Sequence, residues 1–425
     1  MKRYLRFVPL LILYVLVVLS FASDSFQGDE GRYVWFAENL AQGFYSPADE
    51  INLWNGPGYP LVLTPFVLLG IPWLYAKLLN ALFLIGAVLF LYEALQFYVP
   101  EKTARLFAYL LGLYPSFMAE AHLLITESLT FFLVAALLYY FCRLQIEGRR
   151  RRWGLAIAAG LALGFLCLTK IFFGYVLAAS LLLALLVYAF KRTLPHQKTV
   201  LALVVALVVC LPYLGYTYSL TGKLFYWGDS GGMSLYWMST PYEGEWGDWF
   251  MSRTVYSTPG LAENHGAFLD EIAGLDSLQK DAAYRQAAIE NIRANPKKFV
   301  INWMANMGRL LFNYPYSYTP QKLTTYFYLL PNMFIFMAVV FSLYPAWLGR
   351  KLIPYAVYAL ALFGLIALGG SSLLSAYERQ FRVLVPILFM WVAYVAARLV
   401  KIEFRTTPPT DNGYTLRPRR IPLDK

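Results

Sequence analysis

The chain predicts an all-α polytopic membrane protein of about ten transmembrane helices, within a range of about 9–13. Three observations carry this. Apolar residues make up 59% of the 425 residues and charged residues only 14%, against about 25% charged in a soluble domain. Long windows contain few or no charges, and a bilayer core requires about 20 apolar residues per helix. The basic residues fall in short clusters between these windows. The net charge of +11 therefore reads as a topology signal and not as a nucleic-acid surface.

The spans fall at roughly 7–23, 73–95, 103–119, 123–142, 153–169, 171–190, 199–219, 326–348, 352–370 and 382–400. The first follows Lys2, Arg3 and Arg6. It has the look of a signal peptide, with Ser20 and Ala22 at a suitable cleavage spacing, but reads better as an uncleaved span. Lys2, Arg3 and Arg6 set the N-terminus inside. Counting forward, Lys102 and Arg105 fall inside. So do Arg143 to Arg152, with the run Arg149, Arg150, Arg151, Arg152, and then Lys191, Arg192 and Lys198, followed by Arg350 and Lys351. The tail carrying Arg417, Arg419 and Arg420 ends inside. Every strongly basic short loop lands on one side. The expected organisation is a membrane domain over 1–405 and a basic cytoplasmic tail over 406–425. Cys142, Cys167 and Cys210 all sit in apolar segments, without the spacing of a disulfide framework or a thiolate metal site.

Two outside loops are long, about 24–72 and about 220–325. The first offers a short amphipathic surface helix over Arg32 to Phe44. Trp54-Asn55-Gly56-Pro57-Gly58-Tyr59-Pro60 then precedes an apolar run, 61–72, that is too short to span. The second opens on Gly228-Asp229-Ser230-Gly231-Gly232. It is rich in aromatics (Tyr236, Trp237, Tyr242, Trp246, Trp249, Phe250) that suit either sugar stacking or an interfacial belt. A surface helix over Leu278 to Ala294 and an amphipathic helix over 298–313 follow, interrupted by Pro296.

Candidate chemistry gathers at the outer face. Asp29 and Glu30 are paired carboxylates just past the first span, suited to a general base, a metal ligand or a solvated charge pair. Glu127 lies roughly 7 Å below the outer surface at 1.5 Å per residue. It must face a polar cavity there, unless it reaches headgroup level. Lys170 marks the outer turn of a tight helical hairpin, placed to hold a lipid phosphate or to snorkel. Glu378, Arg379 and Arg382 stand at the outer start of the last span. Basic residues there run against the positive-inside bias, and arginine forks match phosphate oxygens. Glu120 and His122, with Asp29 or Glu30, are candidates for a divalent metal.

Several stretches resemble the bacterial GT-C membrane glycosyltransferases of the protein-mannosyltransferase and aminoarabinose-transferase type (glycosyltransferase family 39-like). The resemblance runs over roughly residues 5–400. It rests on Asp29-Glu30-Gly31-Arg32-Tyr33 with Ala37, Leu40 and Gly43, and on Asn55-Gly56-Pro57-Gly58-Tyr59-Pro60. Tyr114-Pro115 and Thr126-Glu127-Ser128-Leu129 add to it, as do Leu163-Gly164-Phe165 with Leu168-Thr169-Lys170. Gly231 to Tyr236, Asn295 to Phe299, and Arg382 with Pro386 complete it. The large soluble domain that some relatives carry after the last span has no counterpart, and the final loop, Tyr377 to Arg382, differs.

This resemblance implies a GT-C bundle in the bacterial cytoplasmic membrane, with both termini cytosolic and the active site on the outer face. It implies inverting transfer from a polyprenyl-phosphate-linked sugar to an acceptor glycolipid, cell-envelope glycan or protein. Asp29, with Glu30, is then catalytic. Lys170 and Arg382 then hold the leaving phosphate, with Arg379 a further phosphate candidate by its position, and Glu127, Tyr33 and Tyr59 bind substrate. No cofactor is fixed by the resemblance, and a divalent metal at Glu120 and His122 stays open from the residues themselves. The competing reading is a transporter or flippase of a lipid-linked or anionic solute, which usually shows mid-span charges and paired repeats.

Overall fold

A computed structural model describes residues 3–148, 151–319, 323 and 325–401. Lys2, Arg149, Arg150 and the tail over 406–425 lie outside the described residues. All regular structure among the described residues is helical. A 3-10 turn leads into α1 (Val8–Phe21), followed by α2 (Glu30–Ala41), α3 (Gly58–Leu69), α4 (Trp73–Gln96), α5 (Glu101–Gly112), α6 (Pro115–Met118) and α7 (Glu127–Ile146). Then come α8 (Arg152–Thr169), α9 (Phe172–Lys191) and α10 (Leu194–Thr221). The second loop folds into α11 (Gly231–Met238), α12 (Ser252–Ser257), α13 (Pro259–Glu271), α14 (Ser277–Ala294) and α15 (Pro296–Phe312). The chain ends its described part with α16 (Thr325–Leu348), α17 (Tyr355–Ser372), α18 (Glu378–Arg382) and α19 (Val385–Arg398).

Among the described residues, seven helices (α4, α7, α8, α9, α10, α16 and α17) are long and apolar enough to cross a membrane. The expected span 103–119 is not one helix. Pro115 pushes Tyr114 into an extended conformation (φ −65°, ψ 119°), so α5 stops at Gly112 and only the short α6 follows. The segment still runs the full depth in step with α1. Arg6 Nη1 meets Glu101 Oε1 at 2.6 Å, Tyr14 OH donates to the Gly112 carbonyl at 2.9 Å, and the Phe21 and His122 rings lie 5.9 Å apart. The expected span 123–142 begins only at Glu127, because 119–126 turns. The last expected span, 382–400, is likewise split into α18 and α19, with Pro386 in the first turn of α19, where its missing N–H costs nothing. With α3 only 12 residues long, the apolar run that opens at Gly58 cannot span.

The bundle has two chemically distinct ends. At one, Arg3 pairs with Glu93 at 3.0 Å and Lys198 donates to the carbonyls of Gln145 and Glu147. Thr199 meets Tyr355 OH, Tyr394 OH reaches the Leu352 carbonyl, and Arg398 Nε reaches that of Tyr98 at 2.7 Å. The basic loops thus gather at one end. Small residues let the helices approach: a Cβ on Gly160 or Gly164 of α8 would fall 2.5 or 2.6 Å from Val205 or Val209 of α10.

At the opposite end, α11 to α15 form a cap with its own core of Tyr236, Trp237, Val255, Leu261, Leu269, Ile272, Tyr284 and Ala288. An Asp276–Gln279 capping box starts α14. Asp229 docks the cap on the first loop: its carboxylate accepts from the Leu53 N–H at 3.0 Å and from Ser277 Oγ. Tyr236 and Trp237, two of the aromatics expected to stack on sugars or to form a belt, are instead packed inside the cap.

Candidate active site

Four separate parts of the chain bring charged side chains together at the cap end. The first is the N-terminus of α2. Asp29 N-caps this helix, and its half-exposed carboxylate contacts Arg32 Nη2 at 2.9 Å and Arg379 Nη1 at 3.6 Å. Arg32 also donates from Nε to Asn55 Oδ1 at 2.6 Å. The second is the first turn of α7, where Glu127 is buried. Its Oε1 accepts from Lys170 Nζ at 2.9 Å and its Oε2 from Thr126 Oγ1 at 3.1 Å. The third is Lys170 at the C-cap of α8, and the fourth is α18 with Arg379 and Arg382. Arg379 lies within electrostatic reach of Glu127, Asp29 and Tyr33, and Glu127 within reach of Lys170, Arg379 and Arg382.

The Gly-Pro motif of the first loop explains how Lys170 arrives. A Cβ on Gly56 would fall 2.0 Å from the Leu168 carbonyl oxygen, and one on Gly58 2.5 Å from Thr169 Oγ1. Only glycine permits such backbone approach. The first loop therefore packs directly on the end of α8, beside the lysine.

The other expected site residues are placed as follows. Glu30 is fully buried, and both its oxygens are engaged: Oε2 by the Gln27 N–H at 2.7 Å, Oε1 by the Leu124 N–H at 2.8 Å and Lys77 Nζ at 3.2 Å. It ties the first loop to the turn before α7. Arg382 has no exposed surface. It donates from Nη1 to the Ser116 carbonyl at 3.1 Å and from Nη2 to Glu120, and Nε lies 3.6 Å from Glu378. It is spent on internal partners, whereas the Arg379 side chain is 45% exposed. Tyr33 and Tyr59 meet edge to face at 5.4 Å and are both buried, with Asn55 donating to Tyr33 OH at 3.0 Å. Glu120 is committed to Arg382, and His122 lies near Glu30 and Lys77, with desolvation drawing its imidazole below its usual range. Among the described residues no three acidic, histidine or cysteine side chains gather as a metal site.

Glu378 is 7% exposed. Burial pushes its carboxyl up to about 7 against the pull of Arg382, with Glu120 and Glu127 adding repulsion. Sequence reasoning missed Lys77, Arg32, Asn55, Trp54 and Trp249 as parts of this neighbourhood. Lys77 carried a legible signal, a cation inside the first turns of an apolar helix. Arg32 carried another, the three-residue spacing from Asp29. Trp249 carried only the general one of an aromatic-rich outer loop, with nothing to place it beside Trp54.

Residues 56–216 match the dolichyl-phosphate-mannose-protein mannosyltransferase family. The lipid A galacturonosyltransferase RgtD of Rhizobium johnstonii is 30% identical over 204 residues, a match covering 48% of this chain and 40% of that protein. Among solved structures, the archaeal oligosaccharyltransferase AglB from Archaeoglobus fulgidus, in complex with an inhibitory peptide and a dolichol-phosphate, aligns with a TM-score of 0.50 at 13% identity. That alignment covers 91% of this chain and 50% of AglB. ArnT from Cupriavidus metallidurans bound to undecaprenyl phosphate aligns at a TM-score of 0.43 and 16% identity, over 93% of this chain and 76% of ArnT.

Proposed function

We propose that this chain, which has the GT-C fold of membrane glycosyltransferases, transfers a sugar from a polyprenyl-phosphate donor to an acceptor glycolipid at the outer face of a bacterial cytoplasmic membrane. The observation that carries the reading is the meeting of Asp29, Glu127, Lys170 and Arg379, from four distant parts of the sequence, at the end opposite the basic loops. The positive-inside bias puts those loops in the cytosol, so the charged cluster faces outward. A glycolipid acceptor is favoured over a protein by the likeness to a lipid A galacturonosyltransferase.

In this mechanism Asp29, the carboxylate of the cluster that keeps part of its surface accessible, accepts the acceptor hydroxyl's proton as that oxygen attacks the anomeric carbon. The bond from that carbon to the phosphate oxygen breaks on the opposite face, so the configuration inverts. Lys170 and Arg379 neutralise the departing lipid phosphate, a preorganised electrostatic contribution. Glu127 holds the Lys170 ammonium in place through the 2.9 Å contact. Arg382, Glu120 and Glu378 fix α18 so that Arg379 projects into the site.

The test is sugar transfer by full-length protein in nanodiscs, using synthetic polyprenyl-phosphate galacturonate or mannose and a lipid A acceptor. Asp29→Asn should lower kcat by about 10²–10⁴-fold while expression and membrane insertion stay normal. Full activity in that variant overturns the assignment. Movement of lipid-linked sugar across the bilayer with no transfer would favour the flippase reading instead.

A further inference from the structure

Beside the charged cluster stands an aromatic corner that the mechanism above does not use. Trp54, in the first loop, and Trp249, in the cap, meet with ring centroids 6.3 Å apart and planes inclined by 60°. The Arg32 guanidinium lies 5.7 Å from the Trp54 ring centroid. The same guanidinium contacts Asp29, so a single side chain separates the indole from the proposed base. Both tryptophans are part-exposed.

An interfacial belt does not account for these two. Belt tryptophans sit at headgroup level around the bundle, whereas this pair stands against Arg32 and Asp29. Trp249 is also held by its backbone. Tyr377 OH accepts from the Trp249 N–H at 3.1 Å and donates to its carbonyl at 2.9 Å. Tyr377 immediately precedes α18, so the element that carries Arg379 also sets the position of Trp249. A rigid, part-exposed aromatic beside convergent charges is the composition of a ligand site. An indole face carries negative quadrupole charge and attracts the weakly positive C–H face of a pyranose.

We infer that Trp54 and Trp249 form a subsite that seats one pyranose ring of a substrate next to Asp29, with Arg32 bonding a ring substituent such as a carboxylate or hydroxyl. The inference rests on the glycosyltransferase reading for its place in catalysis, but sugar binding at the corner can be read separately. The ring belongs to the donor or to the acceptor, and the two leave different kinetic marks.

Two measurements decide it. The first is saturation-transfer NMR of methyl α-D-galacturonide and methyl α-D-mannoside with the full-length protein in nanodiscs. At least one glycoside should receive saturation on its C–H face. The signal should be lost in Trp54→Ala/Trp249→Ala and retained in Trp249→Phe. No saturation from the wild type, or an unchanged signal in the double alanine variant, overturns the subsite. The second is steady-state transfer. Trp249→Ala should raise one KM by about tenfold or more, with Trp249→Phe recovering most of it. A rise in the donor KM assigns the ring to the donor, and a rise in the acceptor KM assigns it to the acceptor. Neither KM moving overturns the proposal. Wild-type protein that binds the glycosides but transfers nothing would fail the enzymatic reading alone and leave the sugar subsite supported.

Discussion

At the scale of single residues, burial separates charges that stay accessible from charges that are spent on internal partners. Asp29 and Arg379 keep exposed surface, whereas Glu30, Lys77 and Arg382 have almost none. A buried ion pair is hazardous to break, because the surviving partner is left unpaired. Lys77→Met should therefore destabilise the protein by about 3–5 kcal/mol, seen as a lower melting temperature, and Lys77→Met/Glu30→Gln should lose less than the two single changes added. The cap holds a comparable network. Glu245 accepts from His265 Nε2 at 2.9 Å, Asn264 Nδ2 at 2.8 Å and Thr240 Oγ1, and Tyr236 OH bonds the other ring nitrogen, His265 Nδ1, at 2.7 Å. Burial pushes the Glu245 carboxyl up, but these donors outweigh it and hold it below its ordinary range. A depressed carboxylate contributes stability above its unfolded value, and that contribution is lost as pH falls through the folded one. Glu245→Gln should cost about 1–3 kcal/mol at neutral pH. The gap from wild type should narrow once the pH drops below the ordinary glutamate range, as read by thermal melts across pH.

At the scale of elements, two helices show how sequence pattern becomes position. On α15, Asn302, Asn306 and Arg309 are all fully buried on one stripe. Asn302 donates to the carbonyls of Met238 and Thr240 in the cap. Asn306 donates to those of Ser372 and Leu374 and accepts from the Ala376 N–H, just before α18. Arg309 reaches the Trp246 carbonyl at 3.0 Å. The stripe fastens the cap to the turn that carries Arg379. Asn306→Ala should cost about 2–3 kcal/mol through unpaired backbone groups and should lower kcat, which transfer assays on the still-folded fraction would detect. On α8, Gly160 and Gly164 let α10 approach. Gly164→Val should destabilise by about 1–3 kcal/mol through overpacking, measurable as a shift of the melt, while Gly154→Ala, which meets nothing, should not.

At the scale of the whole molecule, the charged side chains divide between the two ends of the bundle. Contacts between loops distant in sequence collect Arg3, Arg6, Lys198 and Arg398 at one end, and Asp29, Glu127 and Lys170 lie at the other. Reporter fusions after Arg152 should stay cytosolic and those near Gly244 should be exported. The reverse pattern would overturn the proposed orientation and, with it, the outward-facing site.

The apolar runs, the spacing of basic loops and the helix-breaking prolines are local properties, and they were enough to specify a polytopic helical protein and to place the seven helices that, among the described residues, are long and apolar enough to cross a membrane. Asp29, Glu127, Lys170 and Arg379 were likewise legible one by one, because a charge close to an apolar span is costly and so conspicuous. Their roles were not. Whether a carboxylate faces a partner or open space depends on which distant segment packs on it, and nothing local encodes that. Tertiary packing alone buried Glu30 against Lys77, spent Arg382 on Glu120 and Glu378, and left Arg379 exposed. It also carried Trp249 from the cap to Trp54. The physical reason is that desolvation and pairing are properties of contacts between residues hundreds of positions apart, such as the bond from Arg382 to the Ser116 carbonyl, and these form only when the bundle closes.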